Sequence, residues 1–365
     1  MFNNPGQRKR FRIELIMAAV LAGMFVLEGA APALHASPGV LATDSLGRTI
    51  ELPEAARRVV VLGNYRCEAM KVLGCIDRVV GVDGNSAQAV DYYFPELRNQ
   101  PRVGTWQTPN VEVIASLAPD LVVTSANGAR VEKLAGRLDK FGIPVAGFDF
   151  YRDDVLAREM RALAALLDAG EQAVRYLAWR TSLEKQLAAF TGAIAPEDRL
   201  RVFLEWSPVP GRTYARGSSG QAKCDACGLT NIAAGHPVET PTLSLEWIAR
   251  QDPDVVFKHV SPWTTWGFTS PAQAEEIIAS VGQRPAWGVM TAIRERRIGV
   301  LCPEVVWGPD SIVGLIAFTK WAYPDFHLCP RAVYTEYCRL FMNLELPDDL
   351  MVMYPRIACK GGEAR

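Results

Sequence analysis

The sequence predicts two α/β lobes, each built around a mostly parallel sheet and joined by one long helix. Three observations predict it. A helix–Pro–Asp–strand unit occurs twice at a constant offset of 134 residues, Glu112 onto Glu246 and Asp120 onto Asp254. Short apolar runs such as Val59-Val60-Val61-Leu62 have the character of strands buried on both faces. Between the two halves lies a long helical periodicity. At 365 residues a single core tends to split, so one lobe per copy of the unit agrees with the length.

The elements follow in chain order. Arg8, Lys9, Arg10 and Arg12 precede an apolar run from Ile13 to Leu27, and small residues Gly29-Ala30-Ala31-Pro32-Ala33 come next, which is the pattern of a cleavable secretory signal over 1–36. The run is interrupted by Glu14 and falls short of the roughly 20 residues that span a bilayer. Cleavage after Ala33 and after Ala36 both fit, and no cysteine lies there to carry a lipid. The first lobe is expected over 37–150. In it Arg58 to Gly63 is a strand leading to a helix from Cys67 to Leu73, and Arg78-Val79-Val80-Gly81-Val82 is the next strand. The first repeated unit then runs from Val111 to Val123, its helix halted by Pro119.

The connector is expected over 151–195. Asp153 or Asp154 caps a helical pattern through Leu156, Met160, Leu163, Leu166 and Leu167, which resumes after Gly170 through Val174, Leu177, Leu183 and Leu187. Such a helix is a stiff spacer, so small hinge motion is expected and large domain rotation is not. Leu200 to Trp206 opens the second lobe, 196–365, and Leu245 to Phe257 is the second copy of the unit.

Composition narrows the function. The formal net charge is -1 and no run of like charge crosses the body of the chain, which excludes a nucleic-acid partner. No Gly-x-Ser-x-Gly, His-Glu-x-x-His or Gly-x-x-x-x-Gly-Lys run is present, so neither a catalytic residue nor a cofactor is assigned and the chain is not expected to be an enzyme.

Several further segments resemble a known family: Thr43-Asp44-Ser45-Leu46-Gly47-Arg48 before the first core strand, Arg78-Val79-Val80-Gly81-Val82, the Glu-containing repeat with Pro-Asp, Gly228-Leu229-Thr230-Asn231-Ile232-Ala233, and Gly308-Pro309-Asp310-Ser311. In order and spacing they are similar to the periplasmic substrate-binding proteins of ABC importers, in the cobalamin, siderophore and haem class. The resemblance implies the class III binding-protein fold, a periplasmic monomer, and delivery of a small-molecule metal chelate to a permease and its ATPase at the inner membrane. It also implies that Glu112 and Glu246 meet arginines of that permease. A carboxylate in the first turn of a helix is favoured by the helix dipole and pairs with guanidinium bidentately, which suits that role.

Ligands of open α/β sheets sit beyond the carboxyl ends of the strands. Residues there include Tyr65, Arg66 and Trp106 in the first half, and Trp206, Arg212, Tyr214, Arg216, His259, Trp263, Trp266 and Trp307 in the second. The aromatic rings suit a large, partly apolar ligand. Arg66, Arg212, Arg216, Lys258 and His259 add positive charge suited to an anionic chelate. A ferric siderophore is therefore the first expectation and cobalamin or haem the next, with an oxyanion of the molybdate type as an alternative in the same class. Tyr65 and His259 are the two side chains able to reach a metal axially, although neither sits in a ligand-spaced cluster, so no metal site is assigned.

All 8 cysteines follow the leader, where an oxidising compartment permits disulfides. Cys224/Cys227 and Cys329/Cys338 are the close pairs. Cys224-Asp225-Ala226-Cys227, read as opening a helix, is open to three readings: a structural disulfide, a redox pair or a ligand contact. An exported thiol-disulfide oxidoreductase is thus the alternative from another functional class.

Overall fold

Valine-rich runs flanked by glycine turns become short buried strands, and these set the frame. A computed structural model of the chain describes residues 39–89, 92–206, 208–260, 270–302, 305–351, 353–355 and 359. The expected leader, together with Trp263 and Trp266, lies outside the described residues. Among the described residues no helix is long and apolar enough to cross a membrane.

In the first lobe a hairpin of β1 (Val40–Thr43) and β2 (Thr49–Leu52) precedes β3 (Val59–Val61) and α1 (Asn64–Val72). Next come β4 (Val79–Val82), α2 (Val111–Ser116), β5 (Leu121–Thr124), α3 (Gly128–Leu138) and β6 (Val145–Gly147). The sheet order is β4-β3-β5-β6, with every pair parallel. Its central residues Val59, Val60, Val61, Val122 and Val123 are fully buried, because helices cover both faces.

The helical pattern that follows is carried by α4 (Asp153–Leu167) and α5 (Gly170–Thr191), separated where Asp168 turns left-handed at φ 52. The 22 residues of α5, at 1.5 Å each, span about 33 Å. This is the long helix joining the lobes: it packs against α1 on one side and against helices of the second lobe on the other.

The second lobe contains β7 (Arg201–Glu205), α6 (Ser219–Ala226), β8 (Thr230–Asn231), α7 (Leu245–Gln251) and β9 (Val255–His259). It continues with α8 (Pro271–Gly282), α9 (Thr291–Arg294), β10 (Ile298–Leu301), α10 (Ser311–Ala322), α11 (Pro330–Tyr337) and β11 (Met353–Tyr354). Its sheet order is β11-β10-β9-β7-β8, parallel except for the edge pair β10–β11.

The repeat seen in the sequence has the same hydrogen bonds in both lobes. Asn110 caps α2 by accepting from the Val113 N–H at 3.1 Å, and Ser244 caps α7 by accepting from the Trp247 N–H at 3.2 Å. Each helix ends at a left-handed residue before the proline, Ala118 at φ 44 and Asp252 at φ 43. The Asp120 carboxylate then accepts from the backbone N–H of Arg57 and Arg58, both at 2.8 Å, while its own N–H donates to the Arg58 carbonyl. Asp254 does the same to Arg201, accepting at 2.7 Å and donating at 2.9 Å. The aspartate after the proline therefore fixes where the new strand starts against its neighbour.

The base of the two lobes is tied by buried polar groups. Asp153 accepts from Arg180 at 2.6 Å, from Ser311 at 2.7 Å and from Lys223, linking α4, α5, α6 and α10. Burial alone would raise the Asp153 carboxyl, but Lys223 and Arg180 hold it down at about 2. Nearby, Glu68 of α1 accepts from the Asp310 N–H at 3.0 Å and from the Tyr337 hydroxyl at 2.5 Å, and Tyr93 donates to Asp310 at 3.0 Å.

The cysteines depart from expectation. Cys329 is joined to Cys359, with a Cα–Cα distance of 5.5 Å, and Cys338 is a buried thiol. The helix α11 between Cys329 and Cys338 carries the two roughly 13 Å apart at 1.5 Å per residue, beyond the reach of a disulfide. Cys224 and Cys227 are likewise buried thiols, and they close α6 instead of opening it.

Candidate functional site

A cavity of about 730 Å³ opens at the carboxyl ends of strands from both sheets. Tyr65 enters it from the first turn of α1. The chain turns there through Gly63 at φ 107, where a Cβ would lie 2.6 Å from the Arg66 guanidinium. Tyr151 and Arg152 enter from the loop after β6, held in place by Glu159, which accepts from the Phe150 N–H at 2.6 Å and the Asp149 N–H at 3.1 Å. The second lobe supplies Trp206, Tyr214, His259 and Trp307.

Those four rings form a continuous wall. Centroids of Trp206 and Tyr214 are 5.5 Å apart, those of Tyr214 and Trp307 are also 5.5 Å apart, and Trp307 meets His259 edge-on at 6.0 Å. Three separate loops are brought together to build it. Gly308, at φ 115, allows the Trp307 loop to cross α1, since a Cβ there would lie 2.5 Å from Glu68 and 3.1 Å from the Tyr65 ring. Behind the wall, Arg212 stands 4.8 Å from the Trp206 centroid and Lys223 stands 4.7 Å from the Trp307 centroid.

Charge at the cavity is mostly spent within the protein. Arg66 is 6% exposed, and its guanidinium donates to the carbonyls of Leu62 at 2.6 Å, Phe148 at 3.0 Å and Asp149 at 3.1 Å. Burial lowers its affinity for the proton while Asp149 opposes the fall. It is a brace between strand ends and is not among the residues that line the cavity. Lys258 is paired with buried Glu205, which Arg284 also grips with two bonds at 2.6 and 2.8 Å. Burial pushes His259 down to about 3, so its ring is neutral, and among the described residues its Nε2 has no hydrogen-bond partner. The Trp206 indole N–H is likewise buried without one among the described residues. These two groups have donor and acceptor capacity available for a ligand.

The structure brings together Tyr65, Trp206, Tyr214, His259 and Trp307 of the predicted residues. Arg212 backs Trp206, Arg66 is the internal brace, and Arg216 is exposed outside the lining. Trp106 belongs to a different depression on the first lobe, because its strand-end loop turns away across α3. Sequence reasoning missed Tyr151, Ser218, Glu239 and Thr240. Tyr151 follows β6, so the strand-end rule applied to that strand finds it. Ser218 caps α6. Glu239 and Thr240 arrive through long-range pairing, with Ala215 N–H donating to the Glu239 carbonyl at 2.8 Å, and nothing local in the sequence marks them.

Burial raises the Cys227 thiol to about 12 and raises Cys224 further. An attacking thiol needs the opposite shift. Glu112 and Glu246 both lie exposed in the first turns of α2 and α7, and Glu112 is paired loosely with Arg137 at 3.4 Å. Among the described residues no cluster of three side chains able to hold a metal is found.

Comparison with known proteins agrees with this architecture. The chain is 32% identical over 202 residues to the vitamin B12-binding protein of Salmonella typhimurium, covering 55% of this chain and 72% of that one. It is 27% identical over 208 residues to the protein of the same description from Pectobacterium carotovorum, covering 56% and 72%. Among solved structures, the molybdate-bound periplasmic binding protein MolA of Haemophilus influenzae superposes with a TM-score of 0.70 at 20% identity, over 84% of this chain and 99% of that one. The TroA-like periplasmic binding protein FepB of Veillonella parvula gives 0.73 at 18%, over 84% and 97%. Periplasmic vitamin B12-binding BtuF of Vibrio cholerae gives 0.58 at 22%, over 73% and 96%. These structural likenesses establish the fold. The sequence pattern of the family described as periplasmic binding protein spans residues 59–305, which hold the helix between the lobes and both parallel sheets apart from the edge strand β11, and the chain belongs to that family.

Proposed function

We propose that this chain is the substrate-binding component of an ABC importer, and that it captures a large, flat metal chelate of the corrinoid type between its lobes. The observation that carries the reading is the wall of four rings, Trp206, Tyr214, Trp307 and His259, along a cavity of about 730 Å³. Broad aromatic faces recognise an extended apolar surface, and the few polar groups among them set its orientation. The cationic rim that favours a ferric siderophore in the sequence is depleted in the fold, since Arg66 and Lys258 are engaged internally. The curated relatives described as vitamin B12-binding proteins support the same choice. Export by the leader over 1–36 and residence in the periplasm belong to this reading.

A second reading, an anionic chelate, is favoured by Arg152 in the lining and by Arg212 beside Trp206. Tryptophan fluorescence separates the two, because Trp206 and Trp307 line the cavity. Titration with cyanocobalamin, a ferric catecholate siderophore, haem and molybdate should give saturable quenching by the corrinoid first. Quenching by the siderophore and none by the corrinoid would overturn the choice of cargo. Delivery is assigned to Glu112 and Glu246 meeting permease arginines. Glu112→Arg/Glu246→Arg should abolish uptake in cells while leaving the quenching titration unchanged.

A further inference from the structure

Helix α3 breaks a rule of helix electrostatics. Its first turn carries no acidic residue and places Arg130 where the helix dipole favours an anion. Lys133 and Arg137 follow at i+3 and i+7, so the three cations share one face of the helix. That face borders a depression of about 160 Å³ walled by Trp106, with Gln107, Thr108 and Thr124 beside it. The Arg130 guanidinium stands 4.8 Å from the Trp106 centroid. A space this size is well below the roughly 300 Å³ at which small-molecule pockets begin, and it suits a single side chain.

The corresponding element of the second lobe has the opposite sign. In each lobe a crossover helix follows the strand of the repeated unit: α3 lies between β5 and β6, and α8 lies between β9 and β10. Where α3 presents Arg130, Lys133 and Arg137 against the single Glu132, α8 presents exposed Glu275 and Glu276 and no cation. The two repeated units match in their docking glutamates and differ in this helix.

We infer that the face of α3 around Trp106 is a second contact with the permease, one that receives an acidic side chain from it. This rests on the importer reading above. Continuity with Glu112 and charge complementarity carry the argument. Arg137 bonds Glu112 at 3.4 Å, with their side chains 49% and 77% exposed, so the pair is weak and exchangeable. A permease arginine taking Glu112 releases Arg137, which then completes a cluster with Arg130 and Lys133. That cluster binds a carboxylate from the same partner. The first lobe thus offers the permease an anion and a cationic recess side by side.

The test is Arg130→Glu/Lys133→Glu, two exposed positions whose reversal leaves the cavity and the glutamates untouched. Binding to the permease complex in nanodiscs, followed by surface plasmon resonance, should show association slowed about tenfold and its salt dependence flattened, as rim charges govern encounter. Quenching titrations of the cavity should be unchanged. Association equal to wild type overturns the inference. So does a binding heat for inorganic phosphate that the variant loses while docking normally, which would make the recess a small-anion site. If Glu112→Arg/Glu246→Arg still delivers cargo, the docking role of those glutamates fails; if the unaltered chain neither binds the permease complex nor supports uptake, the importer reading itself fails. If that variant is inert and Arg130→Glu/Lys133→Glu docks normally, the basic face alone falls.

Discussion

At the scale of single residues, His259 is the most informative side chain of the cleft. It ends β9, is 9% exposed, and among the described residues leaves Nε2 unpartnered beside Trp206 and Trp307. Burial puts its pKa at about 3 in place of 6.5, so the native state excludes a proton that the unfolded state accepts. Stability tied to this residue is whole above pH 6.5 and is lost as pH falls towards 3, because the unfolded chain takes up the proton first. Between pH 7 and pH 5 the cost is about 2 kcal/mol. Urea unfolding at the two pH values should show a steeper loss for wild type than for His259→Gln by about that amount. Equal losses would mean that the ring is protonated, or solvated, in the folded state. Arg66 teaches a different lesson. It sits at a strand end as a ligand residue should, but the left-handed turn at Gly63 folds it back onto the backbone.

At the scale of elements, the helix–Pro–Asp–strand unit was legible because its determinants are local. A cap, a proline and an aspartate within a dozen residues specify both the helix end and the strand start. Asp120→Ala and Asp254→Ala each remove charge-assisted bonds to the first N–H groups of the neighbouring strand, and each should cost about 1–2 kcal/mol. The two aspartates share no partner, so the double variant should lose the sum, measured by denaturant midpoints. The cavity was only partly legible. Trp206, Tyr214, His259 and Trp307 follow strands and obey the strand-end rule. Glu239 and Thr240 reach the cleft through backbone pairing between distant loops, and the Cys329–Cys359 pairing depends on how the last segment returns to the lobe, neither of which spacing encodes.

At the scale of the whole molecule, the base of the cleft is a set of buried polar networks joining the lobes. Glu68, Asp310, Tyr93 and Tyr337 form one, and Asp153 with Arg180, Lys223 and Ser311 forms the other. Opening the lobes widely would strip buried charges of their partners, at a cost that a ligand contact does not recover. With α5 as a stiff spacer, the free and ligand-bound proteins should therefore have indistinguishable radii of gyration in small-angle scattering. A clear contraction on adding ligand would contradict this. The binding site is then largely preformed, and affinity resides in the fit of the rings.

The paired units also have a consequence for symmetry. A cap, a left-handed residue, a proline and a strand-setting aspartate, each at an offset of 134, give the two lobes one shared local code. Two such halves on separate chains would have to change together with every substitution. Because both copies lie on one chain, the two crossover helices can differ in charge, and α3 is basic where α8 is acidic. The molecule is symmetric in its first-turn glutamates and asymmetric in the helices beside them.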